Sequence, residues 1–270
     1  TTLATNAGGT TAINAAVTTS STQTYGDAVT IGGATVLTTT NSAINFNSTV
    51  NGANSLTVAA GSGAVNFTGA IGTSTALTTL TSTGAGAVTF GATVGDNTHR
   101  LTSVAITGAT TFNSGAFTTG AQTYAGVTLT TGTTLDSSAG NVNMSAVTGA
   151  AQALTINVGG TTSAVSGIIS NVASLTKGGT GTLSLDAANT YSTTTTISSG
   201  ILNASNNLSF GTSSVGVNGT LQLTGAAALT IGNTINLNNG GTISDNSSAG
   251  FGNTLSGTVN LPGTASQTET

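Results

Sequence analysis

The chain has 270 residues, a formal net charge of −4 and only 3% charged residues, whereas an ordinary soluble domain carries roughly 25%. Its 61 threonines and 39 glycines disfavour helix and argue against an α/β enzyme, because both residue types destabilise a helix and threonine suits a pleated strand. Collagen is excluded because the glycines follow no three-residue period. A nucleic-acid partner is excluded because the chain has no basic surface.

Short runs in which apolar and polar residues alternate recur along the whole chain. Period-2 alternation places all apolar side chains of a run on one face, which predicts strands and argues against a disordered chain. The runs are, in chain order, 55–58, 64–67, 87–90, 153–158, 182–185, 220–223 and 234–237. The residues predicted to point into the core are Leu56, Val58, Val65, Phe67, Val88, Phe90, Leu154, Ile156, Leu183 and Leu185.

Clusters of glycine, asparagine and serine separate the runs and predict turns. Tight hairpin signals are scarce: Asp-Gly is missing, and Asn-Gly occurs only at Asn51-Gly52, Asn218-Gly219 and Asn239-Gly240. This scarcity favours a parallel solenoid. A β-sandwich or barrel array stays open as the alternative, because its strands recur at similar spacing.

The chain also repeats itself at a distance of about 99 residues. Gln23-Thr24-Tyr25 returns as Gln122-Thr123-Tyr124, and the segment 55–58 matches 153–156. The self-match predicts one all-β solenoid over 1–270, with a first repeat unit at 9–107, a second at 108–200 and Asn/Gly-rich coils at 201–270. At about 20 to 25 residues per coil, the chain would hold about 11 to 13 coils.

Residues 174–203 resemble the autotransporter-associated β-strand repeat, and the Gln-Thr-Tyr segments more loosely resemble filamentous-haemagglutinin-like surface proteins. The pattern departs from the family at 192–194, where Ser-Thr-Thr follows the tyrosine in place of glycine. The resemblance implies a right-handed parallel β-helix displayed on a bacterial surface, without catalytic residues. The matching residues are Leu175, Lys177, Gly179, Gly181, Leu183, Leu185, Asn189, Tyr191, Thr195, Ile197, Gly200 and Leu202.

The acidic residues lie far apart in the sequence and do not form the carboxylate pair that a glycosidase needs. A paired-carboxylate glycosidase needs two carboxylates within about 10 Å of each other, and coil stacking would have to bring them together. A β-helical carbohydrate-active enzyme therefore stays as the alternative of another class. We predict no catalytic residue, cofactor or metal site. A surface ion pair between Lys177 and Asp186 across a coil is one option, worth only about 0–1 kcal/mol.

One local group of ionisable residues stands out, Asp96, His99 and Arg100. It is either a small binding loop with a His–Asp pair or a solvated turn with an incidental local ion pair, and the second interpretation is preferred.

Two sets of repeated side chains invite a functional interpretation. Tyr25, Tyr124 and Tyr191 occupy similar places in their repeats, and we predict that they pack at coil edges. Thr-x-Thr pairs such as Thr81 and Thr83 raise ice binding as a further alternative, which their irregular recurrence disfavours.

These observations predict a non-enzymatic extracellular structural protein, a stalk, adhesin or fibre-forming segment of a bacterial cell-surface protein. A self-assembling surface-layer or filament subunit is the closest alternative. The expected partners are other copies of the chain, end-to-end or side-by-side, and surface glycans, with membrane contact only through regions outside this segment. End-to-end assembly is expected because the chain begins in mid-repeat, which would leave its first coil uncapped.

Overall fold

A computed structural model describes residues 1–247 and 252–262. Within these residues the chain is all-β without a helix, and its parallel strands stack as a β-solenoid of about 12 turns. The predicted fold class is confirmed. Part of the predicted C-terminal coils, residues 248–251 and 263–270, lies outside the described residues.

The chain divides into two compact units, Thr1–Gly140 and Asn141–Thr270, at a different place from the sequence repeats 9–107 and 108–200. The strands of the first unit are β1 Leu3–Ala4, β2 Thr10–Ile13, β3 Val17–Thr19, β4 Gln23–Tyr25, β5 Ala28–Ile31, β6 Thr35–Thr39, β7 Ile44–Phe46, β8 Val50–Asn51, β9 Leu56–Ala59, β10 Val65–Phe67, β11 Thr79–Ser82, β12 Val88–Phe90, β13 Ser103–Phe112, β14 Ala116–Thr118, β15 Gln122–Leu129 and β16 Thr133–Ser137.

The strands of the first unit form three stacks, which the chain visits in turn in each coil. Stack 1 begins with β2, β5 and β8 and continues through the bridges of Ile71, Val94 and Ala116. Stack 2 contains β3, β6, β9, β11 and the first halves of β13 and β15. Stack 3 contains β1, β4, β7, β10, β12 and the second halves of β13 and β15.

Stack 3 carries two regular columns of side chains. Its inner column is a ladder of aromatic rings, Tyr25, Phe46, Phe67, Phe90 and Phe112, whose neighbouring centroids are 5.1, 4.7, 5.5 and 5.2 Å apart. Its outer column, in register one residue earlier, is Thr24, Asn45, Asn66, Thr89, Thr111 and Thr128.

The spacing between register partners in stack 3 is uneven along the sequence. Successive partners in this stack (23, 44, 65, 88, 110 and 127) differ by 21, 21, 23, 22 and 17 residues. The connections between strands absorb these differences, because the side-chain period of two leaves no room for a one-residue slip within a half-buried strand.

The second unit also stacks parallel strands. One of its strand stacks contains β18, β20, β22, β24 and β27. Another contains β19, β21, β23, β26 and β29. The strands are β17 Val142–Val158, β18 Ser163–Val165, β19 Ile169–Gly178, β20 Thr182–Leu185, β21 Thr194–Ile197, β22 Ile201–Ala204, β23 Val215–Val217, β24 Thr220–Leu223, β25 Thr230–Ile231, β26 Ile235–Leu237, β27 Thr242–Asp245, β28 Thr254–Leu255 and β29 Val259–Asn260.

The core of each unit is the narrow interior between its stacks. All ten side chains predicted to point inward are buried, each at 1% exposure or less. The alternation of the runs therefore predicted the correct register for each of these strands.

Candidate functional site

The predicted loop at Asp96 is a self-contained turn held by one carboxylate. Asp96 Oδ1 accepts hydrogen bonds from the backbone N–H groups of Thr98 (2.7 Å) and His99 (2.6 Å) and from Thr98 Oγ1 (2.7 Å). These bonds, first of all the one from the Thr98 hydroxyl, hold the pKa of Asp96 well below its usual range. His99 Nδ1 lies 3.3 Å from Asp96 Oδ1, so the predicted His–Asp contact exists.

Arg100 contacts this turn and connects it to later coils. Its Nη1 donates to Asp136 Oδ1 (2.6 Å) and to the Thr118 carbonyl oxygen (3.1 Å), and its Nη2 donates to Asn97 Oδ1 (3.0 Å). The guanidinium carbon lies 5.8 Å from the centre of the Phe117 ring. The local contact within this group is between Asp96 and His99, whereas the ion-pair partner of Arg100 lies 36 residues away.

The charged groups around Arg100 are arranged to hold neighbouring coils together and not to carry out acid–base chemistry. The Asp96 carboxylate is committed to its own turn, and the Asp136 carboxylate accepts a hydrogen bond from the Arg100 guanidinium. Among the described residues, no group of three or more His, Cys, Asp or Glu side chains is placed to hold a metal ion.

The Gln-Thr-Tyr repeat forms a buried polar clasp between neighbouring coils. In the first copy, Gln23 Nε2 donates to the carbonyl oxygens of Val17 (3.1 Å) and Thr38 (2.9 Å), which belong to adjacent strands of stack 2. Gln23 Oε1 accepts from the Tyr25 hydroxyl (3.0 Å), and Thr19 Oγ1 lies 3.3 Å from Gln23 Nε2. Burial raises the pKa of Tyr25 to about 12.

The second copy repeats the same clasp with nearly the same distances. Gln122 Nε2 donates to the carbonyl oxygens of Ala116 (3.0 Å) and Asp136 (2.9 Å), and Gln122 Oε1 accepts from the Tyr124 hydroxyl (3.0 Å). Burial also raises the pKa of Tyr124. The clasp, however, lies at another corner: Gln23 begins a stack 3 strand, whereas Gln122 begins a stack 2 strand.

Tyr191 has different hydrogen-bond partners from the other two tyrosines. Its hydroxyl lies 2.8 Å from Thr195 Oγ1, which in turn lies 2.9 Å from Ser213 Oγ. Burial raises its pKa to about 12. The predicted packing role fits all three buried tyrosines, but the likeness of their surroundings does not extend to Tyr191.

Lys177 is fully buried in the core of the second unit, in register between Ile156 and Ile197. Its Nζ donates to the carbonyl oxygens of Gly178 (2.8 Å), Gly179 (3.0 Å) and Ser199 (3.1 Å). Burial lowers its pKa to about 8.

Lys177 is therefore not a surface lysine paired with Asp186, because three backbone carbonyls take the place of the carboxylate. Asp186 is exposed and accepts a hydrogen bond from Ser205 Oγ (2.9 Å).

The second unit also has a shallow groove of about 490 Å³ at a strained bend. Ala150, Ala151 and Asn171 near this bend have positive φ angles of 45°, 59° and 51°, where non-glycine residues are uncommon. The groove lining includes Ser170, Thr190 and other uncharged side chains. Its hydroxyl groups can exchange hydrogen bonds with a neutral polar ligand.

Sequence reasoning missed two kinds of structurally important residue. The identical Gln-Thr-Tyr segments are the sequence signal for the clasp, in which Gln23 and Gln122 make most of the hydrogen bonds. Nothing in the pattern around Lys177 signalled its burial, since lysine is almost never fully buried without a partner.

Comparison with known protein families, curated proteins and solved structures finds no match for the chain. Among the described residues there is no helix long and apolar enough to cross a membrane.

Proposed function

We propose that this chain is a non-enzymatic structural segment of a bacterial cell-surface protein, a stalk or adhesin segment that acts outside the cell. The observation that carries the proposal is the use of polar side chains: they bind one coil to the next instead of converging on a deep cleft. A segment of this kind transmits position and force, and it requires that successive coils do not separate.

Side-chain amides supply many of the connections between coils. Asn66 Nδ2 donates to Asn45 Oδ1 (2.8 Å) on the outer column of stack 3, and Asn238 Nδ2 donates to Asn218 Oδ1 (2.9 Å) in the second unit. Each such bond adds to the backbone bonds between the same two coils. Amide ladders of this kind recur where strands stack in register.

Ionisable side chains serve the same purpose. Asp27 is buried and accepts hydrogen bonds from two hydroxyl groups of the preceding coil, Thr11 Oγ1 (2.6 Å) and Thr5 Oγ1 (3.3 Å). Arg100 binds Asp136 across coils, and Lys177 binds the carbonyl oxygen of Ser199, which lies 22 residues later. A chain with 3% charged residues thus uses several of them to connect coils.

The proposed location rests on the resemblance of residues 174–203 to the autotransporter-associated repeat. In the structure, two residues of this segment, Lys177 and Gly200, share a corner, because a Cβ at Gly200 would lie 2.8 Å from Lys177 Nζ. The location is tested by adding protease to intact cells that make the protein. Digestion without lysis is expected, and protection until lysis would contradict it.

The mechanical role is tested by pulling the chain from its two ends in a single-molecule force experiment. A coil of 21 residues, the offset between Gln23 and its partner Ile44, releases about 70 Å of extended chain. We expect force peaks spaced by about this length or its multiples. Release of the whole chain in one step at low force would contradict a stalk built from mutually bound coils.

The alternative of a carbohydrate-active enzyme requires a separate experiment. The protein is incubated with neutral and acidic polysaccharides beside the Asp96→Asn and Asp136→Asn variants. No chain cleavage is expected. Cleavage that either substitution abolishes, while the variant stays folded by circular dichroism, would overturn the non-enzymatic assignment.

Side-by-side self-association is a second candidate, favoured by the outer column of stack 3. This column presents one threonine or asparagine per coil over six coils, without an ionisable side chain. A second copy has the same strand spacing of about 4.8 Å, so every position of the column can meet an equivalent one. No charge repulsion opposes this approach.

Sedimentation at increasing protein concentration tests this association. Dimers or larger species are expected, with little change on adding salt because few charges are screened. Asn66→Lys, on the outer column, should reduce the association, while the control Thr57→Lys, on the outer side of stack 2, should not. A monomer at all concentrations, or equal effects of the two variants, would contradict the candidate.

A further inference from the structure

The three Asn-Gly pairs differ in how firmly hydrogen bonds hold the two groups that react in asparagine deamidation. In asparagine deamidation, the backbone nitrogen of the following residue attacks the side-chain carbon Cγ. The N–Cγ bond forms, the Cγ–Nδ2 bond breaks and ammonia leaves, which gives a cyclic succinimide that water opens to aspartate or isoaspartate. Glycine is the most permissive following residue because it has no Cβ. The reaction requires a free glycine nitrogen and a freely rotating asparagine side chain.

Asn51-Gly52 does not meet these requirements. Asn51 Oδ1 accepts hydrogen bonds from the backbone N–H groups of Ser74 (3.0 Å) and Thr75 (3.4 Å) in the next coil. The attacking nitrogen of Gly52 donates to the Thr75 carbonyl oxygen (3.1 Å), and Gly52 is buried. Both reacting groups are therefore held in place by the neighbouring coil.

Asn218-Gly219 is held in a similar way. Asn218 Oδ1 accepts from Asn238 Nδ2 (2.9 Å), and the Gly219 nitrogen donates to the Ile197 carbonyl oxygen (3.1 Å). Attack on the side-chain carbon first requires both of these bonds to break.

Asn239-Gly240 has neither restraint. Both residues are exposed, and within the described residues neither the Asn239 side chain nor the Gly240 nitrogen makes a hydrogen bond. They are the two central residues of a turn closed by the Gly241 N–H to the Asn238 carbonyl oxygen (2.9 Å). A Cβ at Gly240, where φ is 88°, would meet no atom within 4 Å, so the space around the attacking nitrogen is open.

We propose that Asn239 is a site of spontaneous, selective deamidation in the folded protein, with water as the co-reactant and ammonia as the product. The modification places a new carboxylate on the turn that follows strand β26. The isoaspartate product also lengthens the backbone of this turn by one carbon. The inference is independent of the proposed function, because it depends only on this turn.

The experiment is an incubation of the folded full chain in mildly alkaline buffer, followed by peptide mass spectrometry that quantifies the three sites in the same sample. We expect deamidation at Asn239 to be faster than at Asn51 and Asn218 by at least about tenfold, because those sites must first break two hydrogen bonds. In denaturant, where the fold no longer restrains any of them, the three rates should converge.

Two variants sharpen the test. Asn238→Ala removes the side chain that holds Asn218 and should raise the rate at Asn218, whereas Asn236→Ala, which removes an outward asparagine from the adjacent strand, should leave the Asn218 rate unchanged. Deamidation of Asn51 or Asn218 as fast as that of Asn239 in the folded chain would overturn the proposal. So would an Asn239 that stays intact while its denatured form reacts.

Discussion

The substitution Lys177→Met tests whether a buried ammonium group controls the stability of its coils. Lys177 lies in register between two isoleucines, and its Nζ donates to three carbonyl oxygens, of which that of Gly178 belongs to a buried residue. Methionine keeps the apolar contacts but cannot donate. Leaving a buried carbonyl without a donor costs about 1–3 kcal/mol, so the free energy of unfolding should fall by this amount at a pH where the Lys177 amine is neutral and carries no desolvation cost.

The pH dependence of the stability difference identifies the buried amine more specifically than the size of the loss at one pH. The pKa of Lys177 is lowered from 10.5 to about 8 in the folded chain, so between these values the unfolded chain binds a proton that the folded chain has released. Stability therefore rises with pH through this window and is independent of this group below it. The difference between wild type and Lys177→Met should grow by about 2 kcal/mol from pH ~7.5 to ~9.5.

Two measurements check this reasoning. Urea unfolding of both proteins across the pH range gives the difference in stability, and the comparison cancels groups that both chains share. Lys177 is also the only lysine of the chain, so ¹⁵N-lysine labelling gives a single Nζ resonance to titrate. A midpoint close to 10.5 in the folded protein, or a stability difference that stays constant with pH, would refute the argument.

Three further predictions concern the first unit. Phe67→Ala, in the middle of the aromatic ladder, should lower the free energy of unfolding by about 3–5 kcal/mol, whereas the half-exposed Phe117→Ala should cost much less; urea unfolding of the two variants compares them. Gln23→Leu should cost about 2 kcal/mol or more, because two carbonyl oxygens and the Tyr25 hydroxyl lose their partner; part of this loss should disappear in the double variant with Tyr25→Phe, and a purely additive double variant would contradict the clasp. Arg100→Ala should cost about 1 kcal/mol or less, since its ion pair is partly exposed, and the difference from wild type should shrink at high salt; a loss that salt does not change would count against an electrostatic role.

The sequence predicts an all-β parallel solenoid, with a β-sandwich or barrel array as the open alternative, and it predicts the inward face of the alternating runs. Alternation needs only neighbouring residues, and residues such as Phe67 and Phe90 fall on the inner face by their position within a run. The outer column of stack 3 was less visible, since its members Asn66 and Thr89 are 23 residues apart whereas Asn45 and Asn66 are 21 apart. A fixed-period search does not align residues whose connections differ in length.

The polar contacts could not be predicted, because the stacking of coils decides which side chains meet and the periodicity of the sequence does not record it. Arg100 and Asp136 are 36 residues apart and share no repeat position. The three acceptors of Lys177 are backbone carbonyl oxygens, which no side-chain pattern marks. A sequence shows which side chains carry charge, and so it offers the Asp186 carboxylate as a partner for Lys177. It does not show where backbone carbonyl groups converge in the fold.

The two copies of the glutamine clasp have a consequence for how such chains lengthen. Through stack 3, Gln23 is in register with Val127, five coils later, whereas its duplicate Gln122 lies in the first half of the same strand β15, in stack 2. The duplicated segment is thus one side of the cross-section short of a whole number of coils, and its corner still forms the same kind of bonds at a different edge. Gene duplication in this chain is therefore not limited to whole turns: an insertion that adds one or two sides of the cross-section can still be accommodated, because the corner module fits more than one edge.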